Sequence, residues 1–281
     1  MRLIDGKSLA NKIHANVATE VEKLKQEQNI VPGLAVILVG DDPASHAYVK
    51  MKAKACEKVG FYSITHNMPD TISQDEIIAT IEMMNKNPRI DGILVQLPLP
   101  KHIDTNKILE VIDPKKDVDG FHPYNVGRLA TNLDGFVPCT PLGVMKMFEE
   151  YDIDLEGKDV CVVGASNIVG KPMAALLLNA NATVTITHIY TKDLKAHTSK
   201  ADIVIVGVGV PALIKEDMVK DGAIVIDIGI NRLEDGSLVG DVDFANVSKK
   251  CSYITPVPGG VGPMTIAMLL ANTLKSAKQR D

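Results

Sequence analysis

Val160-Cys161-Val162-Val163-Gly164-Ala165-Ser166-Asn167-Ile168-Val169-Gly170-Lys171-Pro172 runs from four apolar residues through a glycine turn into the start of an apolar helix. Strand, turn and helix amino terminus together offer backbone N–H groups and a positive dipole end to an anion such as a pyrophosphate. Ser166 stands where the middle glycine of a full G-x-G-x-x-G would be, so an ordinary tight turn is the other reading of this motif alone. Its surroundings favour the nucleotide. Strands are expected at 159–163, 182–187, 203–206 and 223–228, with a helix over 171–180, and such alternation specifies a parallel sheet covered by helices.

The second strand of this set speaks to the cofactor. An NAD site usually carries an Asp or Glu about 20 residues after the turn to hold the ribose hydroxyls. Here Ala182-Thr183-Val184-Thr185-Ile186-Thr187 ends in His188-Ile189-Tyr190-Thr191-Lys192, with no carboxylate before Asp193. A 2′-phosphate would be repelled by an acid there and can be met by His188, Thr191 or Lys192, so NADP is expected over NAD. His188 can equally be a satisfied structural histidine. Asp227-Ile228-Gly229-Ile230-Asn231 ends a further strand at a glycine, which suits a loop approaching the nicotinamide or a plain strand terminus.

The amino-terminal half alternates as well. Leu9, Ile13, Val17, Val21 and Leu24 recur at helical spacing over 8–26, and Leu34 to Val39 reads as a strand buried on both faces. A helix follows over 45–58, then a strand near 62–66 and a helix opened by a capping box of Ser73 and Glu76. Ile93-Leu94-Val95 is another buried strand, closed by Gln96-Leu97-Pro98-Leu99-Pro100, whose prolines forbid further ladder pairing. From Asp113 to Pro138 periodicity fades, which marks a linker candidate before a helix over 140–151. The last helix, 264–277, presents Ile266, Leu269, Leu270 and Leu274 on one face, and packing back onto the first domain is its expected resting place.

The fold expected is therefore α/β, with two domains around a cleft. An amino-terminal α/β catalytic domain covers 1–138, with the helix 264–281 returned to it, and a Rossmann-type NADP-binding domain with a parallel sheet covers 139–263.

Composition excludes several classes. The 281 residues carry a net charge of -5 with scattered lysines and arginines, so no basic face suits nucleic acid, and the absence of tryptophan with 4% aromatics leaves few stacking platforms. The start, Met1-Arg2-Leu3-Ile4-Asp5, lacks the apolar core of a secretory signal, and no apolar run reaches the roughly 18 residues of a membrane span. Cys56, Cys139, Cys161 and Cys251 lie far apart without a C-x-x-C, which suggests reduced packing thiols rather than zinc ligands or disulfides.

Candidate chemistry lies in the first half. Tyr48 and Lys52 are four apart on one helix face, a pair that can handle protons and that surface helices also carry freely. Gln96 is polar at the end of an apolar strand, where a parallel sheet binds ligands. Lys116-Asp117-Val118-Asp119-Gly120 sets two carboxylates beside a glycine, and Pro256-Val257-Pro258-Gly259-Gly260-Val261-Gly262-Pro263 is a preset ribbon. A buried amide, a capping aspartate and a rigid turn are the corresponding structural alternatives.

Taken in order, Ser45 through Lys52, Val95 through Pro100, Lys116 through Gly120, Gly164 through Pro172 and Tyr253 through Thr265 closely resemble the bifunctional methylenetetrahydrofolate dehydrogenase/cyclohydrolase family. That resemblance implies oxidation of 5,10-methylenetetrahydrofolate by NADP and hydrolysis of the 5,10-methenyl product to 10-formyltetrahydrofolate, a one-carbon donor for purine biosynthesis. It implies Lys52 as the cyclohydrolase residue, Tyr48 beside the folate, Gln96 bonded to Lys52, and Asp119 anchoring the pterin. Val95, Leu97, Pro258, Gly259 and Gly260 would complete the folate site, and Gly164, Ala165, Ser166, Ile230, Thr191 and Lys192 the cofactor site. Where some relatives carry arginine in the cofactor turn, this chain has Ala165. Neither step needs a metal. The resemblance also implies a cytoplasmic homodimer joined through the cofactor domain, without the appended formate-activating synthetase of some eukaryotic relatives. A monofunctional or NAD-using relative, and a binding protein that no longer catalyses, are the competing readings; Lys52 with its partners Tyr48 and Gln96 speaks against loss of the hydrolase, and Lys52, Gln96 and Asp119 against loss of catalysis.

Overall fold

The computed structural model describes residues 1–280. In chain order the first half contains β1 (Arg2–Leu3), α1 (Gly6–Gln28), β2 (Gly33–Val39), α2 (Pro43–Val59), β3 (Tyr62–Met68), α3 (Gln74–Lys86), β4 (Gly92–Val95), α4 (Thr105–Val111) and α5 (Pro123–Ala130). The second half contains α6 (Cys139–Glu150), β5 (Asp159–Val163), α7 (Gly170–Asn179), β6 (Thr183–Thr187), α8 (Leu194–Thr198), β7 (Ile203–Val206) and β8 (Ile224–Asp227). A small ribbon of β9 (Asn231–Arg232) and β10 (Leu238–Val239) follows, then α9 (Phe244–Val247), β11 (Tyr253–Ile254) and α10 (Val261–Ala277). These form two compact units. One gathers residues 11–128, 134–139 and the chain from Ile266 onward; the other gathers 1–10, 129–133 and 140–265.

The first unit is built on a three-stranded parallel sheet of order β3-β2-β4. Every residue of β2 is buried, as a central parallel strand with both faces covered requires. Ala35, Ile37, Val39, Ile77, Ile81, Ile93, Val95 and Ile108 form its core on one side. Asp42 caps α2 by accepting from the Ser45 backbone N–H at 2.8 Å, which starts the helix at Pro43 instead of Ser45. The Ser73–Glu76 capping box is present at the head of α3. Asn272 on α10 donates to the carbonyls of Val118 at 2.8 Å and Val137 at 3.1 Å, and Ser276 donates to those of Asp91 and Lys115. Beyond the helix, the Arg280 guanidinium makes a two-pronged pair with the buried Asp91 carboxylate at 2.7 and 2.8 Å. The returning carboxyl-terminal segment is thus part of this unit.

The second unit is built on a six-stranded, wholly parallel sheet of order β1-β11-β8-β7-β5-β6. Val204, Val206, Val225 and Ile254, each essentially unexposed, stand at its core. Its two marginal additions, β1 and β11, are two residues each and too short to leave a period in the sequence.

The stretch from Asp113 to Pro138 is not a loose linker. It holds α5 and a buried polar knot in which Asp117 accepts from the backbone N–H of Phe121 at 3.1 Å and His122 at 2.9 Å and from Asn125 Nδ2 at 2.8 Å. Local polar bonds and a helix of only eight residues carry this stretch, too short a run for a period to show in the sequence.

Candidate active and cofactor sites

In the three-stranded unit, α2 leaves from the carboxyl edge of the sheet and carries Tyr48 and Lys52 on one face. Lys52 is only 8% exposed, and its Nζ donates to Gln96 Oε1 at 2.9 Å. Gln96 follows directly on β4, and its backbone N–H extends the ladder to Ile37. The Gln96 amide is itself oriented, because its Nε2 donates to the Leu97 carbonyl at 2.9 Å and so turns the oxygen toward Lys52. Val95 is buried behind this pair and Leu97 half-buried beside it, ahead of a cis Leu97–Pro98 bond. Burial raises the Tyr48 phenol above its usual range, so it remains a neutral hydroxyl.

The segment Lys116–Gly120 separates its charges by task. Lys116 Nζ donates to the carbonyls of Met84, Asn85 and Asn87, closing the end of α3, while Asp117 ties the knot described above. Among the described residues, Asp119 has one side-chain hydrogen bond, from the Cys139 thiol to Oδ1 at 3.6 Å. Its carboxyl is raised by burial, and the Lys52 ammonium opposes that rise. Gly120 adopts φ +70°, and a Cβ there would fall 2.6 Å from the Val137 carbonyl carbon, so only glycine lets this loop lie flat. Lys52 thus bonds Gln96 and acts electrostatically on Asp119. Cys139, a packing thiol by its sequence context, also bonds Asp119. Its signal was weak, since a lone cysteine before Thr140-Pro141 resembles any helix start.

In the six-stranded unit, β5 ends at Gly164, which has φ +116° and no room for a side chain: a Cβ would lie 2.8 Å from the Gly207 carbonyl. A Cβ on Gly170 would lie 2.0 Å from the Gly164 carbonyl, so the two glycines let the amino end of α7 close onto the turn. Ser166 Oγ accepts from the Val169 N–H at 3.1 Å and the Gly170 N–H at 3.4 Å. Among the described residues, no internal hydrogen bond engages the backbone N–H groups of 165–168. That cradle of free donors fits a pyrophosphate.

Residues 188–192 follow β6, whose Thr187 carbonyl accepts from the Gly164 N–H at 3.0 Å. Thr191 Oγ1 accepts from the His188 N–H at 2.9 Å, and His188 Nδ1 accepts from the Tyr190 N–H at 3.3 Å. The Thr191 hydroxyl hydrogen and the His188 Nε2–H both remain available as donors, and Lys192 is exposed. Asp193 caps α8 through the Ala196 N–H at 3.0 Å. The first acid after the strand is thus committed to a helix. Ile230 is 44% exposed on the loop after β8. Pro258, Gly259 and Gly260 lie in this unit, at a cis Val257–Pro258 bond.

An oriented lysine beside a buried carboxylate in one α/β unit, and a pyrophosphate cradle on a parallel sheet in the other, define a two-unit nucleotide-dependent enzyme. The chain belongs to the tetrahydrofolate dehydrogenase/cyclohydrolase family: the model of its catalytic domain matches residues 4–119 and that of its NAD(P)-binding domain residues 138–281. It is 89% identical over the whole of both chains to a protein described as bifunctional protein FolD from Sulfurovum sp.. A crystal structure of a bifunctional methylenetetrahydrofolate dehydrogenase/cyclohydrolase from Campylobacter jejuni is 59% identical, covers 100% of both chains and superposes with a TM-score of 0.98. A Trypanosoma brucei enzyme of the same two activities, complexed with NADP cofactor and inhibitor, is 38% identical over 99% of this chain and 97% of its own, with a TM-score of 0.95. The chain is accordingly a bifunctional enzyme that oxidises 5,10-methylenetetrahydrofolate and hydrolyses the methenyl product. Among the described residues no helix is long and apolar enough to cross a membrane.

Proposed function

We propose that Lys52 carries out the hydrolytic half of the reaction and that NADP is the oxidant of the other half; the 2.9 Å bond between Lys52 Nζ and the fixed Gln96 amide is the observation that carries the first assignment. When bound, the nicotinamide takes up the hydride released from the one-carbon bridge. Water then adds to the methenyl carbon, Lys52 in its amine form takes one proton from the adding water and returns it to the ring nitrogen as the bond between that nitrogen and the carbon breaks, and the second water proton leaves to solvent as the formyl C=O forms. Gln96 keeps the Lys52 Nζ aimed, and Tyr48 offers a neutral hydroxyl and ring against the folate. Asp119 accepts paired N–H bonds from the aminopyrimidine edge of the pterin, with Val95 and Leu97 supplying the apolar side of the site.

In the second unit, Gly164, Ala165 and Ser166 cradle the pyrophosphate, Ile230 lines the nicotinamide end, and Pro258 to Gly260 contribute to folate binding. Thr191 and Lys192 hold the 2′-phosphate, a reading supported by the commitment of Asp193 to α8. Cytoplasmic location is supported by four buried cysteines that carry free thiols. The product serves one-carbon transfer, purine synthesis included. A homodimer through the cofactor-binding unit is supported by the edge position of β6 and by its exposed apolar residues, Ile186 on the strand and Leu178 on the adjoining helix.

Steady-state kinetics with NADP and NAD test the cofactor assignment. The wild type is expected to prefer NADP, and the double variant Thr191→Ala, Lys192→Ala to raise the KM for NADP while leaving that for NAD and the turnover number nearly unchanged. A wild type that prefers NAD, or a double variant with intact NADP preference, contradicts it.

A further inference from the structure

Two buried carboxylates in the six-stranded unit play no part in the chemistry above. Asp227, at the carboxyl end of β8, accepts from the backbone N–H of Gly229 at 2.9 Å and of Asp241 at 3.0 Å on Oδ1, and from that of Val242 at 2.9 Å on Oδ2. Asp241, fully buried, accepts in turn from the successive N–H groups of Val208 at 2.6 Å and Gly209 at 2.9 Å on Oδ2, and from Asn231 Nδ2 at 2.9 Å on Oδ1. Two glycines make room for them. A Cβ on Gly229 would lie 2.3 Å from the Asp241 carboxyl carbon, and one on Gly240 would lie 1.9 Å from Asp227 Oδ2.

The relay runs in one direction. Asp227 fixes the backbone at 241–242, and the Asp241 side chain then ties together the loop after β7 and the loop after β8. Both loops leave the carboxyl edge of the sheet, and β7 is the neighbour of β5, whose turn holds the pyrophosphate cradle. In an open parallel sheet the dinucleotide lies across that edge, one half toward β6 and the other toward β7 and β8. Val208, Val210 and Ile230 expose apolar side chains from the two tied loops, at 38, 46 and 44%.

We infer that Asp241 is a positioning residue for the nicotinamide half of the cofactor, holding the loops of Val208–Gly209 and Ile230–Asn231 at the separation the ring needs, with Asp227 setting the backbone from which it reaches. This rests on the cofactor site proposed above. Neither carboxylate needs to touch the cofactor; what they control is where four residues of backbone stand, and small misplacement of a reacting ring is costly in rate.

The test is Asp241→Ala, assayed for both activities and for NADP binding by calorimetry. Dehydrogenase kcat/KM for NADP is expected to fall by about tenfold to a hundredfold while methenyl hydrolysis stays within about twofold, and Asp241→Asn, which keeps one oxygen for the two N–H groups while Asn231 turns its own amide to accept, is expected to recover most of the loss. If Asp241→Ala does not fold, Asn231→Ala carries the test, with a smaller loss of the same kind. Parallel loss of both activities, or unchanged dehydrogenase kinetics, overturns the inference. A wild type that takes up no NADP overturns it together with the reading beneath it, and that failure shows before any substitution is made.

Discussion

At the scale of single residues, each carboxylate is understood by what it lacks or holds. The Asp119 carboxyl is raised by burial and accepts from the Cys139 thiol, so its negative charge is costly there unless a ligand with paired N–H groups meets it. Asp119→Ala should therefore weaken folate binding by about 1.5 to 3 kcal/mol without lowering Tm, because it removes an unfavourable burial along with a charge-assisted contact. An unchanged folate Kd, or a fall in Tm of the size expected for a core residue, contradicts the pterin role. Asp227 makes a pH-dependent contribution. Its carboxyl is pushed up to about 6, first by burial and further by the Asp241 charge, against three backbone N–H groups that pull it down. Below the unfolded pKa, near 3.8, both states hold the proton; between there and about 6 only the folded state does; so stability from this group falls as pH rises through that window, by about 3 kcal/mol, and is flat above it. Denaturant midpoints of wild type and Asp227→Asn from pH 4 to 7 check this. The advantage of wild type over variant should shrink up to about pH 6, and a difference that grows with pH contradicts it.

At the scale of elements, the strands 159–163 and 203–206 stand where their apolar runs placed them, because a strand buried on both faces has to be apolar throughout. The Tyr48–Lys52 face, Gln96 and the glycine turn were legible for a related reason: each sits at a strand or helix end that the local pattern defines. What stayed hidden depends on distant partners. β1 and β11 are strands only because β1 meets β11 across most of the chain and β11 in turn meets β8. α5 is only eight residues long and is anchored by the Asn125–Asp117 bond, and Asp241 reads as an ordinary loop acid until the chain brings it to Val208 and Asn231. The β6 edge belongs to this scale too. A parallel edge strand flanked by exposed Ile186 and Leu178 suits a second copy, so Ile186→Lys together with Leu178→Glu should shift a dimer to monomer in size-exclusion chromatography with light scattering. A variant that stays dimeric, or a monomeric wild type, contradicts that assembly.

At the scale of the molecule, one chain divides its two chemistries between two kinds of side-chain arrangement. Proton transfer needs a fixed base, and in the function proposed above that base is Lys52, held by Gln96 in the three-stranded unit. Hydride transfer needs a held cofactor, and the six-stranded unit supplies free backbone donors, tied loops and no competing acid. Because the residues differ, the activities should separate by mutation. The measurement is Lys52→Met assayed for both reactions on one preparation, the substitution keeping stem length while removing the ammonium. Methenyl hydrolysis should vanish while NADP affinity and cooperative unfolding remain those of the wild type. Hydrolysis at the wild-type rate, or joint loss of hydrolysis and NADP binding, would show that Lys52 does not carry the hydrolytic step.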